Sequence, residues 1–350
     1  MEDRPLDPTD ESAKGAPRPG GHLRRAFLTG AVAVAAVPAS GRSAPRPWRR
    51  SAAVVKLGVY SDTIFTLPIW IAMERGYFKA NGIAFELETV RNIRQVGDAL
   101  LAGASPIAMT GPEVVFFDKA GADRVCIAAG NANRLPHFLI AQPRFNSIAD
   151  LRGATFGVIS ETEGTTFVIQ KLAAGAGLRR SEYKIAAVGG APARAKLLDE
   201  GVIDAALQPF PLSYEAEAKG FKNLGWAGLA QPDWQFSAVL MHRGWLEANQ
   251  DIAANFLRAA VQGRRFMAQQ PASAAQIAAQ YLKTSYPLAR RALDDTLRLG
   301  IMDPDLRWSP VGLGEVYRNL QTVGALPADK EFRIQDYVDS RSLARALRSL

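Results

Sequence analysis

From Val54 onward, short β-rich runs alternate with stretches of helical spacing. "VVKLGVY" is a β-branched run, and "LPIWIAMERGYFKANG" repeats its apolar residues at helical spacing and stops at Gly82. "IAFELETV" alternates like a half-exposed strand. "NIRQVGDALLAGA" is an amphipathic helix and "PIAMT" a short strand. "GPEVVFFDKAG" is a helix opened by Pro112 in its first turn. "RVCIAAG" and "HFLIAQ" continue as strands. Strands separated by helices of this length imply parallel pairing with right-handed crossovers, that is, an open α/β sheet.

A second unit of the same build begins near residue 146, with strands "ATFGVIS", "YKIAAV", "IDAALQ" and "KNLGWA" between helices. After "PDWQFSAVLMHRGWL" the pattern is almost wholly helical to Leu350. The order is therefore α/β unit, second α/β unit, return strand and helical wrap. "RGYF" (75–78) reads as packing and a helix stop, because Tyr77 and Phe78 precede the turn signal Asn81-Gly82.

In open α/β sheets, ligands sit outside the carboxyl ends of the strands. Four loops leave strand ends with polar or turn-type residues: "SDTIFT" (61–66), "TGPE" (110–113), "SETEGTT" (160–166) and "QPFP" (208–211). Two come from each unit, so they would face one another across a cleft between hinged lobes.

Residues 1–53 do not follow the strand–helix pattern. Arg24 and Arg25, then Phe27 and Leu28, then an Ala/Val run and small residues at Val37-Pro38-Ala39 have the layout of an export signal of twin-arginine type. Its apolar run is too short for a bilayer span, which needs about 20 residues. This gives a signal over 1–39, a Pro/Arg-rich linker over 40–53 and a periplasmic location. The net charge of +8 changes little, since Arg42, Arg46, Arg49 and Arg50 in the linker carry half of it. No Lys/Arg cluster with interleaved aromatics follows in the body, which excludes a nucleic-acid surface. A single cysteine, Cys126, excludes a disulfide framework and multi-cysteine metal sites. His22, His137 and His242 have no metal-ligand spacing, and no nucleophile–base arrangement marks a catalytic site or a cofactor.

"AMERGYFKANGIAFELETV", "ALLAGASPIAMTGPEVV", "IADLRGATFGVISETEGTT" and "LLDEGVIDAALQPFP", in that order, resemble the periplasmic solute-binding proteins of ABC importers. The branch is the one for nitrate, sulfonates, taurine and thiamin precursors, and the resemblance runs over residues 54 to 285. It implies a two-lobed periplasmic-binding-protein-like α/β fold (type II), hinged by two crossing strands near "LIAQPR" and "QFSAVL". Lobe one would comprise 54–142 and 238–350, with the return strand and C-terminal helices, and lobe two 143–237. It implies a monomer that captures a small-molecule ligand and meets an ABC permease and its ATPase. A periplasmic sensor subunit is the alternative. A thiamin-pyrimidine-synthase-like enzyme is a remoter one, since that type relies on a cysteine-rich motif.

The resemblance also implies where the solute would be touched. Carried onto this chain, the positions are Ser61, Asp62 and Phe65; Thr110, Gly111 and Pro112; Ser160, Glu161, Thr162, Glu163, Gly164 and Thr165; and Gln208, Pro209 and Phe210. Asn131 beside the first crossing and Trp234 near the second join them, with Asn133 and Phe236. Threonines and serines at these places also cap helices, and Phe65, Trp70, Phe210 and Trp234 also suit a core. Asp62, Glu161 and Glu163 make the four loops acidic, with no Arg or Lys among them. Two unit charges about 4 Å apart interact by roughly 4 kcal/mol near a protein surface. The expectation is thus a small organic solute, such as a heterocyclic amine, a sulfonate or a related compound, and not an inorganic oxyanion. The glutamates either serve the helix N-terminus from outside or enter the cleft.

Overall fold

The computed structural model describes residues 54–350 apart from 61–62, 91–92, 120–122 and 162–163. The export signal and linker inferred from the sequence lie outside the described residues.

In chain order the first elements are β1 (Val55–Tyr60), α1 (Leu67–Glu74), α2 (Tyr77–Ala80), β2 (Phe85–Val90), α3 (Ile93–Leu101), β3 (Ile107–Thr110), α4 (Glu113–Lys119) and β4 (Val125–Ala132). Next come β5 (His137–Ala141), β6 (Thr155–Val158), α5 (Gly164–Gly175), β7 (Lys184–Ala187), α6 (Ala191–Asp199), β8 (Ala205–Pro209), α7 (Leu212–Ala218) and β9 (Lys222–Trp226). The chain closes with β10 (Ser237–His242), α8 (Arg243–Ala248), α9 (Gln250–Gln269), α10 (Pro271–Leu282), α11 (Tyr286–Arg298), α12 (Pro310–Thr322) and α13 (Arg341–Arg348).

The strands make two sheets of the same plan, β2-β1-β3-β10-β4 and β7-β6-β8-β5-β9. In each, one strand (β1 or β6) has parallel neighbours on both sides, joined to it through helices. An antiparallel strand, β10 or β5, then lies beside the third. Each sheet is thus a crossover α/β unit completed by a strand that the chain delivers on passing between sheets.

This pairing corrects one expected boundary. "HFLIA" was placed in the first lobe, with the crossing at 139–144. Instead His137–Ala141 pairs with Pro209–Ala205 of the second sheet, so the chain crosses between Ala132 and His137. An apolar run suits either sheet; its partners, some seventy residues ahead, decide its membership. The return passage lies between Trp226 and Ser237.

α1 ends where Gly76 adopts φ 68°, a left-handed turn that glycine takes without a Cβ penalty. The turn sends Phe78 inward, where it stacks on Phe85 at 4.0 Å and lies 5.5 Å from Phe256 of α9. Burying a ring of that size contributes about 1.5–3 kcal/mol. Trp70 is fully buried and stacks on Tyr281 at 4.9 Å, so both aromatic features are core. Gly263 of α9 lets that helix close on α1: a Cβ there would lie 2.0 Å from the Pro68 carbonyl oxygen.

The C-terminal helices meet both lobes. Tyr214 of α7 donates to Asp295 Oδ2 of α11 at 2.6 Å, and Arg291 of α11 pairs with Glu217 at 2.6 Å. The outer edge of β4 is closed by the segment before α13: Ile127 N–H donates to the Tyr337 carbonyl, and its own carbonyl accepts from Asp339 N–H at 2.8 Å. An edge covered in this way cannot template pairing with another chain.

Candidate functional site

A cleft of about 120 Å³ lies where the two sheets face each other. The first lobe supplies Thr63, Phe65, Met109, Thr110, Gly111 and Glu113. The second supplies His137, Ile159, Gly164, Thr165, Ala191, Arg194 and Pro209, while Trp234, Phe236 and Ser237 come from the return passage and the start of β10. The walls follow the rule for open α/β sheets, since Thr110, Ile159 and Pro209 stand at or just past the carboxyl ends of β3, β6 and β8.

The rings hold one another in place. Phe65 meets Phe236 edge-on at 5.5 Å, and His137 meets Phe236 at 4.9 Å, so one ring touches both halves of the wall. Trp234 is buried and lies along the start of α5, where a Cβ on Gly164 would come within 2.5 Å of its Cζ2. Only a glycine lets the helix start this close to the indole. Thr166 Oγ1 donates to the Ser160 carbonyl at 2.7 Å, which ties Ser160 to the first turn of the helix.

Charge enters from opposite sides. Glu113, in the first turn of α4, folds back over Gly111, so that its Oε2 would lie 2.0 Å from a Cβ placed there. On the second lobe Arg194 is 3% exposed, donating through Nη1 to the Gly189 carbonyl at 3.1 Å and through Nη2 to the Leu207 carbonyl at 3.0 Å. His137 is buried beside it. Burial first, and the Arg194 charge second, push its imidazole down to about 3, so it is neutral at physiological pH. Its Nδ1 has no hydrogen-bond partner among the described residues.

Of the residues expected from the sequence, Phe65, Thr110, Gly111, Gly164, Thr165, Pro209 and Trp234 line the cleft. Pro112, Ser160, Glu161, Gln208 and Phe210 do not. Glu161 is exposed, and Phe210 is fully buried against Phe138 and Tyr214. Gln208 is fully buried on the strand before it. Asn131 is not among the lining residues; its Nδ2 donates at 2.9 Å to the hydroxyl of Ser237, which is, and so ties β4 to β10. Ser61, Asp62, Thr162 and Glu163 lie outside the described residues.

The acidic cup inferred from four loops is corrected by a fifth. The turn between β7 and α6 opens at the same sheet edge and brings in Arg194. Its signal was present as "VGGAP", a glycine pair between strand and helix, but an arginine in the first turn of a helix reads as solvated. His137 was passed over because its spacing to the other histidines carries no metal pattern. Among the described residues, no three His, Cys, Asp or Glu side chains gather to hold a metal ion. A second recess, over α11, is lined by Arg290, Arg291 and Arg298, which pair with Asp294, Glu217 and Asp295.

Two α/β lobes that enclose one small cleft define the periplasmic-binding-protein class of fold. The NMT1/THI5-like family model matches residues 65–274, and the chain belongs to that family. A protein named as a binding protein in Brucella abortus is 25% identical over 264 residues, covering 74% of this chain and 79% of that one. The formylaminopyrimidine-binding protein of Halalkalibacterium halodurans is 23% identical over 252 residues, covering 70% and 75%. Among solved structures, the periplasmic aliphatic sulphonate binding protein SsuA of Escherichia coli superposes with a TM-score of 0.66 at 16% identity, over 83% of this chain and 93% of that one. A mutant of the enzyme DSZB bound to biphenyl-2-sulfinic acid superposes at 0.63 and 15% identity, over 85% and 100%. Likeness at that identity establishes the fold and leaves the chemistry to the site.

Proposed function

We propose that this protein is an extracytoplasmic solute-binding protein that closes its lobes around one small organic solute and delivers it to an ABC permease. The observation that carries the reading is the cleft itself. Residues of both lobes and of a passage between them line one small, largely apolar space, as a site that traps its guest by lobe closure requires. The aromatic residues in the walls favour an organic solute, a heterocyclic amine, a sulfonate or a related compound, over nitrate. The signal-like layout of residues 1–39 supports a periplasmic location, and the relatives named as binding proteins support capture without turnover.

Cys126, the one cysteine of the sequence, does not favour an enzymatic role that works through a thiol. Cys126 is fully buried on β4, and burial pushes its thiol up to about 12. A thiol in that state supplies no thiolate at neutral pH.

Calorimetric titration of the purified chain with nitrate, taurine, alkanesulfonates, aminopyrimidines and single-ring organic acids tests the proposal. One organic compound should bind at a stoichiometry of one. Tight nitrate binding with no organic binding overturns the ligand class, and a deletion strain that still takes up every candidate solute overturns import.

A further inference from the structure

The cleft wall at Trp234 is held by groups outside the cleft. Its indole, 2% exposed, lies along Phe167 of α5 with ring centres 6.3 Å apart, and Lys171 Nζ sits 4.9 Å from the centre of the Phe167 ring. A cation over an aromatic face is attracted to the negative charge of that face, so Lys171 steadies the ring that backs the indole. α12 presses on the same residue from another side. A Cβ on Gly312 would come 3.0 Å from the Trp234 carbonyl carbon and 2.7 Å from the Gln235 nitrogen. With glycine there, the first turn of α12 lies directly on the backbone of the return passage.

Gln231, three residues before Trp234, joins these parts. It is 2% exposed, and its amide is used at both ends. Oε1 accepts from Lys171 Nζ of α5 at 2.6 Å. Nε2 donates to the Asp233 carbonyl at 2.8 Å and reaches Glu315 Oε2 of α12 at 3.4 Å. Glu315 is itself held by Arg318 at 2.6 Å. An amide suits this place because one end accepts from a cation while the other donates to a carbonyl and a carboxylate. Hydrogen bonds in which one partner is charged are the stronger kind. Gln235 Oε1 also accepts from Ser309 N–H, just ahead of α12, at 2.8 Å. The segment 231–235 is therefore fastened to α12 at both ends, with Trp234 between the fastenings.

We propose that Gln231 is a positioning residue of the solute site. It fixes the Trp234 wall to α12 and registers α5 against that wall, so the fit between guest and indole depends on an amide that does not line the cleft. This role rests on the solute-binding reading, since a wall has a use only where a guest meets it.

Fluorine NMR of the full chain labelled with 5-fluorotryptophan tests the role, alongside calorimetry. The Trp234 signal is the one missing from Trp234→Phe. Gln231→Met keeps the side-chain length and loses the contacts to Lys171, Asp233 and Glu315, so it should move or broaden that signal. Lys171 is exposed, so Lys171→Met should fold even where Gln231→Met does not, and it should move the same signal. Lys171→Arg keeps a donor and should move it less. The signals of Trp70 and Trp245, which belong to core clusters without Trp234, should stay in place. Whichever compound binds the wild type, among taurine, alkanesulfonates, aminopyrimidines and single-ring organic acids, should bind Gln231→Met about tenfold more weakly.

A Trp234 signal unchanged in Lys171→Met, or one that moves only together with those of Trp70 and Trp245, overturns the proposal. Affinity unchanged in both variants while the wild type binds also overturns it and leaves the carrier reading standing. Binding of none of these compounds to the wild type removes the carrier reading, and this role with it, even where the signal moves.

Discussion

Gln235 Nε2 lies 2.8 Å from Asn133 Oδ1, a contact that joins the two passages of chain between the sheets. The same amide nitrogen donates to the Ser237 carbonyl at 2.7 Å, and Oε1 accepts from Ser309 N–H at 2.8 Å. One fully buried side chain thus fixes both crossings to the start of α12. Replacing Gln235 with Leu leaves the Ser309 N–H and Asn133 Oδ1 without this partner. Because buried unmet polar groups cost roughly 1–3 kcal/mol, the variant should lose about 2 kcal/mol of stability in urea unfolding. An unchanged midpoint would show that the crossings are held by other means.

Gly164→Ala places a Cβ 2.5 Å from the Trp234 indole, a rigid ring in a packed wall. Overpacking of this kind costs roughly 1–3 kcal/mol and should shift the tryptophan emission of the folded protein. Gly111→Ala offers a contrast. Its Cβ meets the tip of the flexible Glu113 side chain, so the fold should survive with Tm nearly unchanged while solute affinity changes as the carboxylate is displaced.

Two helical glycines should differ in sign. Gly263→Ala drives α9 off the Pro68 carbonyl and should destabilise by about 2 kcal/mol. Gly175→Ala, at the end of α5 with nothing within 4 Å of the new methyl, should stabilise by up to about 1 kcal/mol through helix propensity. Chemical denaturation of the pair separates packing from propensity.

His137 gives stability a pH dependence of known sign. Its folded pKa lies near 3, below the ordinary value of 6.5, so the unfolded chain binds the proton more readily. Its contribution is fully present above pH 6.5 and is lost as the pH falls toward 3, with a slope of up to about 1.4 kcal/mol per pH unit. Urea unfolding at pH 7, 6 and 5 should show a shallower decline for His137→Phe than for the wild type.

The alternation of strands and helices was readable because burial on a sheet and burial along a helix repeat at different periods. The cleft loops were readable because strand ends in such sheets are where polar turns gather. Sheet membership of "HFLIA" was not, since it depends on pairing with β8 far along the chain. Nor was the role of Arg194, whose burial comes from the short turn after β7. Asn131 has the chemistry of a ligand contact, but only its placement on β4 beside Ser237 shows that it ties strands.

The position of β10 imposes an order of events on synthesis. The second sheet is built from the unbroken stretch 137–226, whereas the first waits for Ser237–His242 to separate β3 from β4, and for Tyr337 and Asp339 to seal its rim. As the ribosome works from the N-terminus, the half made later can be finished earlier, and the half begun first stays open until Asp339 has been added. A chain halted before residue 237 would carry one complete half and one with its strands still unmatched.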